Sequence, residues 1–510
     1  MAVEAIANEV SAVEPRSGLT ATQYSLVVTA VVAASWLPVL AGATTRAAVG
    51  WVLAAGLAVA VERLTRPYGA GVLIAALVVS SAFVSSGLVT EPTHYMPVLV
   101  TGGALTLRLA METWRKKTLS RPAAPIVLVL VGLYIAWAAL ATVTSINVPL
   151  SLTYVAGTVL VCGLAFWAIP VMLSERLEQG RLLAAVGVLG VIVAVSVYLV
   201  AVVGSIHVFG GPLGDIQVGD LTVGGHPTGL LFARSSGVFL APLEPSVIMV
   251  IGVLGLIGWS AAQTGRSLLL ARLAIVFVAP AVLLTLDRSA WVAAIVGAGA
   301  FAALAIAVRY PVKTAGVTCL FFVVTFLLVQ GDVVGVNAVG NACTVNCSTA
   351  GDETTLRGGT GLSGRENLWR ASLLAIEHRP LLGYGLGNNV PAINPFLVGN
   401  GLHLNGLTSH STWFRTAVEI GIPGLCLLFG VFIAAAWVFV RGKRGAKKIT
   451  SPGHLAFAAT VAGLLPAMFF ESFLLGGVTF SNLYLAVALG LTVGQLRPAV
   501  SSPRVALASV

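Results

Sequence analysis

One histidine and three arginines have the residue types and positions to act on an anionic substrate. His410 ends a long polar stretch, just before an apolar run that begins near Thr412. In the first turn of a helix there, burial or the helix dipole favours a neutral imidazole, which can accept a proton. Arg234, Arg288 and Arg365 supply planar guanidinium groups, which bind phosphate through paired hydrogen bonds. Together these residues predict proton transfer beside a bound anion.

The elements that position these side chains are membrane helices. Of the 510 residues, 57% are hydrophobic and 9% charged, against about 25% charged in soluble domains. This composition excludes a water-soluble protein. Windows apolar enough to cross hydrocarbon lie at 24–43, 47–61, 69–89, 95–111, 123–143, 151–173, 182–203, 238–260, 268–286, 289–308, 314–330, 411–440, 454–474 and 477–496. We predict an all-α, polytopic membrane helical bundle of about fourteen spans.

The distribution of charge predicts the topology. The first residues are acidic and lack the basic and apolar regions of a cleavable signal, so we place the N-terminus inside. Lysines and arginines then collect in the cytoplasmic connections, as the positive-inside rule requires. The formal charge of +10 therefore marks topology, and no nucleic-acid partner is expected. The predicted parts are cytoplasmic tail 1–22, membrane helices 23–330, a large exterior loop 331–410, membrane helices 411–496 and cytoplasmic tail 497–510.

The outer side of this topology is net acidic but carries a few arginines. Arg234 and Arg288 lie at the outer ends of predicted spans, and Arg365 lies in the exterior loop. The bland interpretation is that such arginines snorkel to lipid phosphates. The functional interpretation is that they bind an anionic substrate.

The exterior loop is predicted to contain short amphipathic helices. Ser363 and Glu366 form a capping box and Pro380 stops the pattern, which predicts a helix over 364–378. Its Arg365 and Trp369 share one face, which would lay the indole on the membrane surface, as an anchor or a platform for sugars.

Two further features of the outer side are candidate parts of a binding site. The run Gly383-Tyr-Gly-Leu-Gly387 predicts a tight turn in which backbone amides, such as that of Gly385, approach a ligand or headgroup. Glu471, near the outer end of the penultimate span, is either satisfied by a neighbouring helix or a wall of the site. Cys343 and Cys347 either form a small disulfide or stay free thiols.

These segments resemble the signature of the O-antigen ligase and polymerase superfamily over roughly residues 234–494. The resemblance is carried by Arg234-Ser-Ser-Gly-Val-Phe, Asp287-Arg288-Ser-Ala, the segment 365–369, Pro380-Leu-Leu-Gly-Tyr-Gly-Leu-Gly-Asn, and His410 followed by Glu419-Ile-Gly-Ile-Pro-Gly. The chain departs from the family in having Ser411 after the loop histidine, where Asn is frequent. It also has Asp287 before the second arginine, where Ser is frequent.

The resemblance implies a GT-C-like membrane glycosyltransferase for polysaccharide biosynthesis in the inner membrane of a bacterium. Its donor would be a glycan on a polyprenyl diphosphate in the outer leaflet, and its acceptor a hydroxyl of an unknown glycan, lipid or protein. In this interpretation His410 activates the acceptor, while arginines hold the diphosphate and stabilise it as it leaves. We expect no cofactor and metal independence. The candidate residues are, as catalytic groups, His410, Arg365 and Arg288, and, as substrate-binding groups, Arg234, Glu471, Trp369 and Gly385.

Two other functions fit a chain of this design. A transporter or flippase of the same lipid would place its polar groups near the middle of the membrane, whereas here they concentrate on one side. A peptidoglycan-type glycan polymerase would depend on an acidic loop residue, such as Asp352 or Glu353.

Overall fold

The computed structural model of the protein describes residues 21–37, 48–82, 84, 95–116, 124–173, 176–203, 206–208, 211–213, 216–223, 226–235, 237, 239, 243–330, 334–338, 365–398, 408–444 and 451–494. The chain divides into two compact units, residues 1–84 with 89–119 and residues 85–88 with 120–510. The candidate residues Asp352, Glu353, Cys343 and Cys347 lie outside the described residues.

In the described residues of the first unit there are four α-helices, α1 (Ala21–Ser35), α2 (Ala48–Thr65), α3 (Ala70–Ala82) and α4 (Met96–Lys116). A buried ionic network joins α2 to α4. Glu62, only 2% exposed, accepts a hydrogen bond from Arg66 at 2.8 Å, and the Arg108 Nε lies 3.5 Å from its other oxygen. Buried charges of this kind need such partners, because an unpaired one is costly in an apolar environment.

The second unit carries the remaining helices. They are α5 (Pro125–Ala141), α6 (Val148–Gly163), α7 (Ile169–Met172), α8 (Arg176–Val203), α9 (Leu243–Ser260), α10 (Gly265–Leu284), α11 (Arg288–Ala307), α12 (Lys313–Gln330), α13 (Arg365–His378), α14 (Asn389–Val398), α15 (Thr412–Arg444), α16 (Pro452–Ala467) and α17 (Phe480–Val493). A π-helical turn, Leu164–Ala168, joins α6 to α7. Small residues allow close helix packing, as membrane helices often require.

The polytopic helical membrane architecture predicted from the composition is confirmed. Every predicted apolar window overlaps a helix. Within the described residues, seven stretches are long and apolar enough to cross a membrane: Pro125–Thr144, Val148–Met172, Glu178–Val203, Leu243–Ser260, Gly265–Leu284, Arg288–Ala307 and Thr412–Arg441. Six further apolar helices are shorter. The total of fourteen spans stays a prediction.

The all-α expectation is wrong for the connections after α8 and α12. Strands β1 (Ile206–Val208) and β2 (Gly211–Leu213) pair antiparallel, and β3 (Ile216–Val223) pairs with both β4 (His226–Ser235) and β5 (Val334–Ala338). The central strand β3 and its neighbour β5 contain several β-branched residues, which favour strands. The central strand β3 thereby links two loops that are distant in sequence.

The end of the large loop is regular, as predicted. The helix expected over 364–378 is observed as α13. Helix α15, which follows the loop, is kinked at Ile420 and Gly421. Gly421 has φ 74°, and a side chain there would collide with the carbonyl of Leu381. The kink therefore accommodates the segment that follows α13.

Candidate functional site

The residues that could do chemistry meet around one buried carboxylate. Glu471, 4% exposed, lies in the connection between α16 and α17. Its Oε1 accepts a 2.6 Å hydrogen bond from the Arg365 Nη2, and its Oε2 lies 3.7 Å from the Nδ1 of His410. The sequence placed Glu471 within a membrane span, but α16 ends at Ala467. The structure thus joins three residues from three separate segments.

The environment of Glu471 sets its proton affinity. Burial raises the pKa of this carboxyl above its usual value of 4.5, and the nearby Asp287 carboxylate raises it further. The neighbouring His410 and the positive charge of Arg365 act in the opposite direction. A carboxylate that is desolvated and yet paired with two basic groups responds strongly to the charge of either one.

Arg365 begins α13 and is held at the edge of this cluster. Its side chain is 18% exposed, and its guanidinium lies 6.0 Å from the ring centre of Phe470, the residue before Glu471. Only the Nη2 of the planar guanidinium donates to Glu471. The Nε and Nη1 groups point in other directions within the guanidinium plane.

Trp369 lies one turn further along the face of α13 that carries Arg365, as predicted. Its indole N–H donates to the carbonyl of Ser409 at 3.1 Å, and its ring stacks on Phe414 with centroids 5.7 Å apart. Phe470 lies on the same ring at 6.3 Å. Trp369 thus packs between protein aromatic rings, because this face of α13 lies against α15, and its place at the membrane surface stays a prediction.

The sequence predicted that His410 lies in the first turn of the long helix. The structure places it before that helix. Helix α15 begins at Thr412, whose backbone N–H donates to the carbonyls of Met468 and Glu471. His410 precedes it in a bend with φ 44°, and its side chain is 35% exposed. The ring therefore faces Glu471 on one side and remains accessible to a substrate.

Arg288 belongs to the same end of the second unit. It begins α11, which runs antiparallel to α16, since Gly297 lies beside Ala459 and Ala293 beside Gly463. That pairing brings the start of α11 next to the segment that follows α16, where Glu471 lies.

The residue before Arg288 has a structural role. The Asp287 carboxylate caps α11 by accepting from the backbone N–H and the hydroxyl of Ser289, at 3.0 and 2.6 Å. Its other oxygen accepts from Ser246 of α9 at 2.6 Å. Glu244, also at the start of α9, accepts from Ser481 of α17 at 3.0 Å. The starts of three helices are thus tied together beside the candidate site.

Arg234 does not begin a helix, contrary to the prediction. It lies in β4, opposite Gln217 of β3, and the next helix, α9, begins at Leu243. The side chain of Arg234 lies outside the described part of the structure.

Gly385 lies in a turn whose backbone amides are used by the protein. The N–H groups of Tyr384 and Gly385 donate to the carbonyls of Val418 and Glu419 at 3.0 and 2.7 Å. Gly385 has φ 88°, and a Cβ there would lie 2.5 Å from the hydroxyls of Ser145 and Ser151. The amide expected to approach a ligand is therefore engaged with α15.

Two other arginines of the second unit form structural contacts. Arg415 donates to Glu419 at 2.9 Å on α15, and Arg379 donates to the carbonyl of Thr144 at 2.6 Å. Within the described ranges, no group of three or more His, Cys, Asp and Glu side chains is placed to hold a metal ion. Cys162, Cys319 and Cys426 are free thiols.

Sequence reasoning missed the residues that support the bend of His410. Asn389, 1% exposed, hydrogen-bonds both the backbone and the side chain of Ser409. Asn389 lies two positions after Gly387 and is the first residue of α14, and a buried asparagine there is a signal of side-chain hydrogen bonding to backbone groups. That signal does not reveal which segment the side chain reaches.

Fold and site define a polytopic helical membrane protein with a basic and acidic cluster at one end of its helices. A family model described as O-antigen ligase matches residues 273–429. The match covers the segments that carry Arg288, Arg365 and His410, and it confirms the resemblance of the chain to the O-antigen ligase-like superfamily. This similarity indicates polysaccharide biosynthesis at a membrane, with glycan transfer as the general activity of the family that the chain resembles. No curated protein matches the chain.

Proposed function

We propose that the protein transfers a glycan from a polyprenyl diphosphate to a hydroxyl acceptor on the outer face of a bacterial inner membrane. The observation that carries this proposal is the contact of one buried carboxylate, Glu471, with both Arg365 and His410. In this arrangement His410 can take a proton while Arg365 binds an anion. Displacement of a diphosphate by an alcohol requires both. In this proposal both termini are cytoplasmic, and the architecture is GT-C-like.

His410 acts as the general base. Its Nδ1 faces the Glu471 carboxylate at 3.7 Å, so Nε2 is the nitrogen that accepts the proton of the acceptor hydroxyl. The imidazolium formed in this way is stabilised by the adjacent carboxylate. Glu471 therefore acts on the base, in addition to its predicted place in the wall of the binding site.

Arg365 and Arg288 bind the diphosphate. The Nη2 of Arg365 is held by Glu471 at 2.6 Å, which leaves the Nε and Nη1 donors of the guanidinium to bind phosphate oxygens. The position of Arg288 at the start of α11 also places helix N–H groups near the same anion. Arg234 remains a predicted further ligand of the diphosphate, and Trp369 and Gly385 remain predicted parts of the glycan site.

The reaction balances without a cofactor. The acceptor oxygen attacks the anomeric carbon, the bond from that carbon to the diphosphate oxygen breaks, and polyprenyl diphosphate leaves with the electron pair. The proton of the acceptor goes to His410. The arginine charges stabilise the negative charge that develops on the diphosphate, so we propose that no metal ion is needed.

Reconstitution tests this function directly. The purified full-length protein in liposomes is given a polyprenyl-diphosphate-linked oligosaccharide with a labelled glycan, and the products are analysed for new glycosidic bonds and free polyprenyl diphosphate. Formation of both, with the acceptor added on the outside, supports the proposal. Movement of the intact labelled lipid between leaflets without bond formation would instead indicate the flippase alternative, which the one-ended position of the polar cluster does not favour.

The same assay separates a polymerase from a ligase. A polymerase lengthens a lipid-linked chain when the donor lipid is the sole glycan present. A ligase requires a second acceptor molecule. Substitution of Asp352 or Glu353 tests the peptidoglycan-type alternative, in which one of these acidic residues is essential.

A further inference from the structure

The backbone of His410 has a conformation that its residue type rarely adopts. Its φ of 44° lies in the left-handed region, which is uncommon for residues other than glycine. Such a conformation persists when the surrounding structure holds it, and it is frequent at functional sites. Residues on both flanks of His410 hold this bend.

On the N-terminal side, Ser409 is completely buried and bound from three directions. The Asn389 side chain accepts from the Ser409 backbone N–H at 2.8 Å and donates to its hydroxyl at 2.8 Å. Ser372 of α13 donates to the same hydroxyl at 2.9 Å, and Trp369 donates to the Ser409 carbonyl at 3.1 Å. The peptide before His410 is therefore fixed to both α13 and α14.

On the C-terminal side, Thr412 is fixed to the segment that carries Glu471. Its hydroxyl donates to the carbonyl of Glu471 at 2.9 Å and accepts from the N–H of Phe473 at 2.8 Å. The backbone of Glu471 is thus tied to α15, while its carboxylate faces His410. Both flanks of His410 are held by buried hydrogen bonds.

Asn389 does not serve its own helix in the usual way. Asn389 is the first residue inside α14, one position after the N-cap, where an asparagine side chain would accept from an N–H of the same helix. Here the side-chain oxygen and nitrogen both reach Ser409, twenty residues further along the chain. An amide is suited to this position, because it offers an acceptor to the backbone N–H and a donor to the hydroxyl.

We propose that Asn389 is a positioning residue, which acts through Ser409 to hold the His410 imidazole against Glu471. This inference rests on the proposed function, since it assigns a purpose to the orientation of the proposed base. Asn389 itself does not bind the donor, because its amide is engaged with Ser409. Removal of the amide leaves the buried Ser409 N–H without its acceptor and weakens the hold on the conformation that presents the ring, although Ser372 and Trp369 still bind Ser409.

The test compares Asn389→Ala and Asn389→Asp with Asn394→Ala, a matched change of an asparagine on the same helix. Asn389→Ala is expected to lower kcat about 100-fold, the effect of a displaced catalytic group, while KM for the donor stays within about threefold. Asn389→Asp keeps the acceptor for the Ser409 N–H, and its kcat is expected to fall about tenfold. Asn394→Ala is expected to change neither constant by more than about threefold.

A second measurement does not depend on glycan transfer. Diethyl pyrocarbonate modifies accessible imidazoles, and mass spectrometry gives the rate at His410, with the exposed His378 as internal reference. Asn389→Ala is expected to raise the rate at His410 relative to His378 by at least about threefold, because the half-buried ring is released.

Either of two results would overturn the inference. One is a normal kcat together with an unchanged modification rate at His410. The other is a joint loss of kcat, of polyprenyl diphosphate binding and of thermal stability, which means that Asn389 supports only the fold. Failure of the proposed function is distinct, since glycan transfer would then be undiminished in His410→Ala, and the modification rate would still test the positioning.

Discussion

The glycine turn and the His410 bend are both irregular segments that contact α15, yet they differ in how their polar groups are used. In the glycine turn, the N–H groups of Tyr384 and Gly385 bind carbonyls of α15, and side chains fill the space around them. In the His410 bend, the backbone is also fixed, but the imidazole is 35% exposed and faces a buried carboxylate. The backbone N–H groups of the glycine turn are bound to the protein itself, whereas the bend leaves the His410 imidazole accessible to a substrate.

This difference indicates how a functional segment can be distinguished from a purely structural one in a membrane protein. Positive φ values occur in both segments, but in the glycine turn they fall on glycines, which adopt them without strain, whereas in the bend the residue is His410. A further distinction lies in the partners of the polar atoms, since buried polar groups that are fully satisfied stabilise the fold. We therefore expect substitutions in the two segments to have different kinetic and thermodynamic effects.

The largest effect is expected for His410→Ala. Loss of the general base should lower the rate of glycan transfer about 1,000-fold with normal membrane expression. The matched control is His378→Ala, at the exposed end of α13, which should retain activity within about threefold. Full activity in His410→Ala would contradict the catalytic role of the bend, and the two segments would then not differ in function.

Arg365→Ala is expected to follow, with a loss of about 100-fold in kcat/KM. The change removes the diphosphate contact and also leaves Glu471 buried without its ion-pair partner. Arg370→Ala removes an exposed arginine of the same helix and should be nearly neutral. Equal losses in the two variants would indicate a general dependence on positive charge at the membrane surface.

The pH dependence of kcat tests the role of Glu471. Burial raises the pKa of this carboxyl above 4.5, so acidification protonates it at a pH higher than for an ordinary glutamate. The rate should then fall about tenfold for each pH unit below that pKa, because a neutral carboxyl no longer stabilises the imidazolium. Glu471→Gln should lower the plateau and remove the contribution of this carboxyl to the acid limb, whereas Glu366→Gln, an exposed change, should leave the profile intact. An acid limb with the same midpoint in Glu471→Gln and in the unchanged protein would assign it wholly to another group.

The smallest effect on the chemistry is expected for Gly385→Ala. The new Cβ meets two serine hydroxyls, and φ 88° strains any residue other than glycine, so unfolding should become easier by about 1–3 kcal/mol. Thermal melting in detergent measures this, with Gly132→Ala as a control at a helical glycine that has free space around it. A raised donor KM with unchanged melting would show that Gly385 binds the ligand after all.

Much of the site was predictable from particular residues. His410, Arg365 and Arg288 were identified from residue type, charge distribution and motif order, and the helix over 364–378 followed from its capping box and Pro380. The position of His410 before α15 was missed, because the start of that helix is decided by hydrogen bonds of Thr412 to Met468 and Glu471. The strands after α8 were missed because their pairing with β5 joins segments far apart in sequence.

The sequence by itself determined the class of this protein. Composition and the apolar windows require membrane helices, and the scarcity of charge makes each arginine and histidine of the polar stretch conspicuous. Only the tertiary structure decided that Arg365 and Glu471, 106 positions apart, form an ion pair, and that Asn389 reaches Ser409. Apolarity and helical period are local properties of a chain, whereas the partner of a buried polar group is chosen by packing among distant segments.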